Sequence, residues 1–103
     1  MIQYESGRIG SIDAKSISEQ TQQLKKELEE KAIDLICDCS EFDLDVPLLD
    51  EIHELQKNKN KCIVIILPVE KQEEYSADWN LVPSMKEALD FISFEQMQRD
   101  LGL

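Results

Sequence analysis

Basic residues are missing from the middle of this chain. No Lys or Arg occurs between Ala32 and Gln56. The same stretch is rich in carboxylates, namely Asp34, Asp38, Glu41, Asp43, Asp45, Asp50, Glu51 and Glu54. The whole chain has 11 Lys and Arg against 22 Asp and Glu, a formal net charge of -11. Because such a surface repels phosphate groups, nucleic acid and anionic membrane surfaces are not expected as partners, whereas a basic protein is compatible with it.

Glycine and long apolar runs are also scarce. The chain has 3 glycines, Gly7, Gly10 and Gly102, and none follows a central apolar strand, so no phosphate-binding loop is predicted. No apolar run approaches the roughly 18–20 residues that span a bilayer. The N-terminal residues Met1–Glu5 have neither the basic nor the apolar segment of a signal peptide. We therefore expect a single cytoplasmic domain.

Residues that catalyse reactions or bind metals are few. Cys37, Cys39 and Cys62 are odd in number and lie within apolar runs, which indicates reduced cysteines in a core. The single histidine, His53, lies on a predicted helix and is expected at its surface or boundary. A zinc site from these four residues is disfavoured, because tetrahedral sites usually take paired ligands from loops with two to four residues between them. We expect no metal, no cofactor and no enzymatic activity.

Apolar patterning predicts an α/β fold. The predicted strands are a short one within Met1–Ile12, turned at Ser6–Gly7 and ending near Gly10, then Ile33–Cys39, Cys62–Leu67 and a short edge strand at Leu81–Val82. Near-continuous apolar strands are typical of a sheet covered on both faces. The sequence therefore predicts a four-stranded, mostly parallel sheet with about four helices.

Capping signals locate the predicted helices. Ser16 and Glu19 form a capping box before a helix that extends to Ala32. The helix from Val46 to Lys57 has Asp45 as a candidate N-cap and Pro47 in its first turn, and Asn58 or Asn60 can take the left-handed cap conformation after it. Two further boxes begin at Ser84 and Ser93, and they predict a helix and then a separate short helix in the tail. Between Val69 and Asn80 the sequence favours either a short helix or a loop.

The acidic turn between the second strand and its helix has three interpretations. It is a solvated surface with helix-capping aspartates, or a Mg²⁺ site like that of phosphotransfer receivers, or a docking surface for a basic partner. The receiver interpretation is disfavoured because the chain has too few strands and lacks a lysine after the later central strand. Ligands and partners of open parallel sheets meet the protein where a strand's carboxyl end turns into a helix.

Three segments of the chain resemble motifs of one known domain family. They are Gly7-Arg8-Ile9-Gly10-Ser11-Ile12-Asp13-Ala14, Leu35-Ile36-Cys37-Asp38-Cys39-Ser40-Glu41-Phe42 and Leu81-Val82-Pro83-Ser84-Met85-Lys86-Glu87-Ala88-Leu89. The family that they resemble is the STAS domain, the fold of bacterial anti-sigma factor antagonists. The first segment is similar to the family's approach to its first helix, the second resembles its strand and turn, and the third resembles its closing segment. The resemblance covers about Gly7 to Ile92, and it implies a STAS-like domain over residues 1–92 with a C-terminal helical extension over residues 93–103.

The resemblance implies a regulatory protein-interaction domain. Its partner-binding residues would be Ser40, Glu41, Asp43, Asp45, Val46 and Pro47. Antagonists of this family carry an Asp-Ser-Ser-Gly turn whose serine is phosphorylated. Here Asp45 matches the aspartate, but Val46-Pro47-Leu48 replaces Ser-Ser-Gly, so the phosphorylation switch is expected to be absent, and Ser40 matches a structural serine.

Three alternatives accompany this interpretation. The sheet's cleft is a candidate site for a nucleotide or lipid. The tail resembles that of small STAS-like proteins grouped with ribonuclease Z, which suggests an accessory protein of such an enzyme, although the histidines of a nuclease centre are missing. Finally, Phe94, Met97 and Leu101 have the spacing of a helical seam and predict a possible homodimer, although such a stripe can also fold back on its own core.

Overall fold

Near-continuous apolar strands place one sheet at the centre of the molecule. The computed structural model describes residues 2–6, 8–75 and 78–102. Its strands are β1 Gln3–Ser6, β2 Ile9–Asp13, β3 Asp34–Asp38, β4 Ile63–Ile66 and β5 Asn80–Val82. Its helices are α1 Ala14–Glu19, α2 Thr21–Glu30, α3 Val46–Asn58, α4 Val69–Gln72 and α5 Met85–Asp100. The strands lie in the order β1-β2-β3-β4-β5.

The sheet has five strands, and it is mixed in direction. β1 runs antiparallel to β2, and the other neighbours are parallel. The prediction of an α/β fold is confirmed, but the predicted four strands and about four helices become five of each within the described residues. All side chains of β1 are exposed, so no apolar pattern marked it as a strand of its own. The predicted turn at Ser6–Gly7 lies partly outside the described residues, since Gly7 is not among them.

Gly10 lies inside β2, although the sequence predicted a strand end near it. A Cβ atom at this position would lie 2.6 Å from a methyl group of Ile2 and 2.9 Å from one of Ile33. The missing side chain therefore allows these two residues to close over the strand.

Helices cover both faces of the sheet. On one face, α1, α2 and α3 pack their apolar side chains on Leu35, Cys37, Ile63 and Ile65. On the other face, Ala88 and Ile92 of α5 pack on Ile9, Ile36, Val64 and Ile66. β3 and β4 are buried throughout except at Asp38, as their near-continuous apolar sequence predicted.

Two helix starts agree with the sequence prediction. Asp45 caps α3 by accepting a hydrogen bond from Leu48 N–H at 3.1 Å, and Ser84 caps α5 by accepting one from Glu87 N–H at 3.3 Å. Asn60, after α3, has φ 57°, the left-handed conformation predicted for either Asn58 or Asn60.

Two other helix starts differ from the prediction. The first helix begins at Ala14, because Asp13 accepts a hydrogen bond from Ser16 N–H at 2.7 Å and thereby replaces the predicted capping box. That helix is interrupted at Gln20, which separates α1 from α2. Ser93 begins no helix, since α5 continues through it. Between Val69 and Asn80, where the sequence favoured either a short helix or a loop, α4 is a single short helix. Residues 76 and 77 lie outside the described residues.

Candidate functional site

The parallel strands end along one edge of the sheet, and two aspartates are neighbours there. Asp13 ends β2 and Asp38 ends β3, and the two residues are paired in register. Asp38 Oδ1 accepts hydrogen bonds from Ser40 N–H at 3.1 Å and from the Ser40 hydroxyl at 2.6 Å. Asp13 caps α1 as described above. Both carboxylates therefore shape the chain where it leaves the sheet, and the Ser40 hydroxyl has a structural partner.

The turn after β3 presents a second group of carboxylates to solvent. Its exposed members are Glu41, Asp43 and Asp45. Asp45 caps α3, whereas Glu41 and Asp43 form no hydrogen bond or ion pair with any other residue that the structure describes. No basic side chain within residues 2–6, 8–75 and 78–102 thus pairs with their two negative charges.

Apolar side chains lie among these charges. Phe42 is 44% exposed and Val46 is 40% exposed, although both are large and hydrophobic. Leu44, between them in sequence, turns inward and packs on the core. Pro47 is exposed in the first turn of α3. The six predicted partner-binding residues are all exposed and lie in one segment of the chain, within which Leu44 turns inward: Ser40, Glu41, Asp43, Asp45, Val46 and Pro47.

The field of these carboxylates extends to neighbouring groups. Burial raises the pKa of the Cys39 thiol to about 12, and the charges of Asp38 and Asp13 contribute to the increase. The pKa of Tyr75 is also raised, by burial and then by the charges of Glu74 and Asp43. Tyr75, which follows α4, is therefore close enough to the acidic turn to sense its charge.

Little enclosed space lies beside the acidic turn. A cavity lined by Ala14, Ile17, Ser18, Cys39, Leu44, Asp45 and Leu49 has a volume of about 10 Å³. That volume holds about one water molecule, whereas pockets for small ligands measure roughly 300–1,000 Å³. The edge is thus suited to surface contact rather than to enclosure of a nucleotide or lipid.

The acidic stretch identified in the sequence does not form one surface. Asp34 is buried at the opposite edge of the sheet, where β3 begins. Glu51 forms an ion pair with Lys25 of α2, and Asp50 lies 3.3 Å from the indole N–H of Trp79. Only the segment from Asp38 to Asp45 contributes to the carboxyl edge, because the strand and the helix carry the other carboxylates away from it.

The cysteines and the histidine lie apart. Cys37 and Cys39 belong to the core beneath α1, α2 and α3, whereas Cys62 packs towards α5 on the other face. His53 is half-buried on α3, and its ring stacks on Trp79 at 5.1 Å between centroids. No group of three or more His, Cys, Asp or Glu side chains within residues 2–6, 8–75 and 78–102 is arranged to hold a metal ion.

Sequence reasoning missed an aromatic column beside α3. Trp79 stacks on Tyr75 as well as on His53, at 5.9 Å between the Tyr75 and Trp79 centroids. An open groove of about 450 Å³ runs beside it, lined by Asp50, His53, Glu54, Lys57, Asp78 and Trp79. The spacing of Tyr75 and Trp79 marked them as anchors, but no local signal linked them to His53.

Comparisons with models of protein families, with curated proteins and with solved structures found no match to this chain. No helix in the described part of the chain has both the length and the apolar character needed to cross a membrane.

Proposed function

We propose that this chain is a non-enzymatic, STAS-like regulatory domain that binds a protein partner through the acidic turn, the exposed segment from Ser40 to Pro47. One observation carries the proposal. Two exposed carboxylates without an ion-pair partner among the described residues, Glu41 and Asp43, lie next to the exposed side chains of Phe42 and Val46. The order of elements, with a parallel strand leading through this turn into a capped helix, supports the same proposal.

Charge and apolar surface have different roles in such an interface. Uncompensated carboxylates steer a basic partner towards the surface and select against acidic ones. Buried aromatic side chains supply much of the affinity at protein interfaces. The partner is therefore a basic protein whose contact surface also has apolar side chains to cover Phe42 and Val46.

Phosphorylation does not control this binding in our proposal. The first turn of α3 contains Val46 and Pro47, which carry no hydroxyl group, and the Ser40 hydroxyl is hydrogen-bonded to Asp38. Binding is constitutive or is regulated by another route.

Affinity capture from extracts of the source cell tests the proposal. The Glu41→Lys/Asp43→Lys double variant reverses the two free charges and leaves the cap residue Asp45 unchanged. We expect its affinity for the partner to fall by at least ~tenfold, because a like-charge contact costs more than about 1.4 kcal/mol of binding free energy. Glu29→Lys/Glu30→Lys, on the exposed surface of α2, is the matched control and should retain the partner. Equal recovery of the same proteins by the wild type and the Glu41/Asp43 variant would refute the proposed surface.

A small ligand in the groove beside His53 and Trp79 is the second candidate, favoured by the volume of about 450 Å³. A ligand at 100 times its dissociation constant stabilises a protein by about 2.7 kcal/mol. A thermal-shift screen of nucleotides and lipids should therefore give a clear hit if this candidate is right, and Trp79→Ala should abolish it. A screen without hits would exclude the tested ligands.

A further inference from the structure

The end of α5 has a line of exposed apolar side chains. The helix packs Ala88 and Ile92 on the sheet, and further along it Gln96 and Arg99 donate hydrogen bonds to the buried Asp34. On the outward face, Phe94 is 58% exposed, Met97 57% and Leu101, which directly follows the helix, 67%. Residues three and four apart lie on one side of a helix, so these three form a single stripe. Each of the three is more than half exposed, so the part of the chain that the structure describes does not cover them.

The exposed surface of α2 provides a contrast. The exposed positions of α2 are polar, as in Gln22, Gln23, Lys26, Glu29 and Glu30. A surface helix normally has such a polar outer face. The stripe formed by Phe94, Met97 and Leu101, the α5 stripe, is therefore a surface that another molecule covers.

The charges around the α5 stripe indicate what that molecule is. Asp90 pairs with Lys86 at 3.1 Å, and Asp100 pairs with Arg8 at 3.2 Å. Glu95 lies within electrostatic range of Arg99. Asp90 and Asp100 thus form ion pairs, in contrast to Glu41 and Asp43 in the acidic turn.

This local compensation matters for self-association. Two copies with a formal charge of -11 each repel one another over most of their surface. They can approach only where carboxylates are paired and apolar area is available, and the α5 stripe satisfies both conditions.

We propose that the α5 stripe is the seam of a two-fold symmetric homodimer. In an antiparallel arrangement of two α5 helices, the symmetry axis passes beside Met97. Phe94 then contacts Leu101 of the second copy, and the two Met97 side chains lie on either side of the axis. Such a contact is self-complementary, as a two-fold interface must be.

The exposed area limits the strength of this dimer. A fully covered aromatic side chain buries roughly 150–250 Å², so three partly covered side chains supply about half of the ~800 Å² per partner of a standard interface. We therefore expect a weak dimer, with a dissociation constant between about 10 μM and 1 mM. It is independent of the proposed docking function, because it uses another surface and needs no partner.

Sedimentation equilibrium of the full chain tests the dimer. The wild type should change from the mass of one chain to that of two across the stated concentration range. Met97→Lys and Met97→Glu should each remain monomeric, since like charges then meet at the axis. Val69→Lys is the matched control, because Val69 is 63% exposed at the start of α4 and away from the α5 stripe, and it should behave as the wild type does.

Mixing the two variants distinguishes a seam from a mere loss of folding. An equimolar mixture of Met97→Lys and Met97→Glu should restore dimers, because opposite charges then meet at the axis. Circular dichroism spectra identical to that of the wild type confirm that each variant is folded. A wild type that stays monomeric up to 1 mM, or Met97 variants that dimerise as the wild type does, or a mixture that stays monomeric, would overturn the proposal.

Discussion

The role of Asp34 could not be predicted from the sequence, because its partners are far away along the chain. It interrupts an apolar strand and is only 1% exposed. Its carboxylate accepts hydrogen bonds from Arg99 at 2.7 Å, from the Gln96 side chain at 2.8 Å and from Cys62 N–H at 2.8 Å. Burial by itself raises the pKa of Asp34, but the bonds from Cys62, Arg99 and Gln96 outweigh burial and hold the pKa below its ordinary value. This network ties the end of α5 to the start of β3 and β4.

Replacing Asp34 should therefore destabilise the protein in a pH-dependent way. Asp34→Asn should lower the free energy of unfolding at pH 7 by about 2–3 kcal/mol, below the 3–5 of fully buried pairs because Arg99 is partly exposed. The contribution of a carboxylate with a lowered pKa is present above the ordinary carboxyl pKa of about 4 and is lost as the pH falls through the folded-state value. The difference between wild type and variant should shrink between about pH 5 and pH 2.

Urea unfolding at several pH values measures this difference. Asp100→Asn is the control, because its pair with Arg8 is exposed and should contribute less than about 1 kcal/mol. If the free energies of unfolding of Asp34→Asn and Asp100→Asn are equal at pH 7, the buried pair does not stabilise the fold.

The cysteines should be unreactive in the folded chain. Burial raises the pKa of Cys37 well above its ordinary value, and burial with the nearby charge of Asp34 raises that of Cys62 to about 12. Because the thiolate is the reactive form, a thiol reagent at pH 8 should label the native protein slowly. Cys62 should react first, since it is the most exposed of the three. All three thiols should react at once in denaturant, and rapid labelling of Cys37 in the native state would contradict this account.

At the scale of elements, the helix starts show what local sequence can and cannot predict. Asp45 and Ser84 were predicted as caps, because each is followed by a clear apolar helix pattern. Ser16 and Ser93 also had capping sequences, yet neither begins a helix. Near Ser16, the side chain of Asp13 accepts the hydrogen bond from the Ser16 amide and begins the helix earlier. At Ser93, the helix that began at Met85 simply continues. A capping motif is therefore decisive only where the preceding chain is not helical and offers no better acceptor.

The cap of α3 should be separable from the proposed docking role of the acidic turn. Asp45→Ala removes the acceptor of Leu48 N–H and should cost about 1 kcal/mol of stability. Asp45→Asn retains an N-cap side chain and should cost much less. Thermal unfolding of both variants, beside Asp43→Ala as an exposed control, tests the assignment. A destabilisation by Asp43→Ala as large as that by Asp45→Ala would argue against the cap.

At the scale of the molecule, the sequence predicted that both faces of the sheet are covered, but it did not predict at which edge of the sheet each carboxylate lies. The apolar runs of β3 and β4 indicated a sheet covered on both faces, and the structure has α1–α3 on one face and α5 on the other. The spacing of carboxylates along the chain did not reveal which edge each one occupies. Asp34 and Asp38 are four residues apart, about 13 Å along a strand, so one lies in the buried network and the other at the open edge.

The candidate site was predicted in the same partial way. Its segment, Ser40 to Pro47, is continuous in sequence and needed no tertiary information. Its tertiary neighbours do need it, since Asp13 and Tyr75 come from distant parts of the chain. The aromatic column of His53, Trp79 and Tyr75 was missed for the same reason.

Nuclear magnetic resonance can locate the docking surface residue by residue. The ¹⁵N-labelled chain is titrated with the partner recovered by affinity capture. If the acidic turn binds the partner, the backbone amides of residues 40–46 should shift or broaden, with little change at His53, at Trp79 or along the α5 stripe. The effect should weaken as salt increases, because the free charges of Glu41 and Asp43 guide the contact. Perturbation centred on the groove beside Trp79, with residues 40–46 unchanged, would show that the acidic turn is not the docking surface.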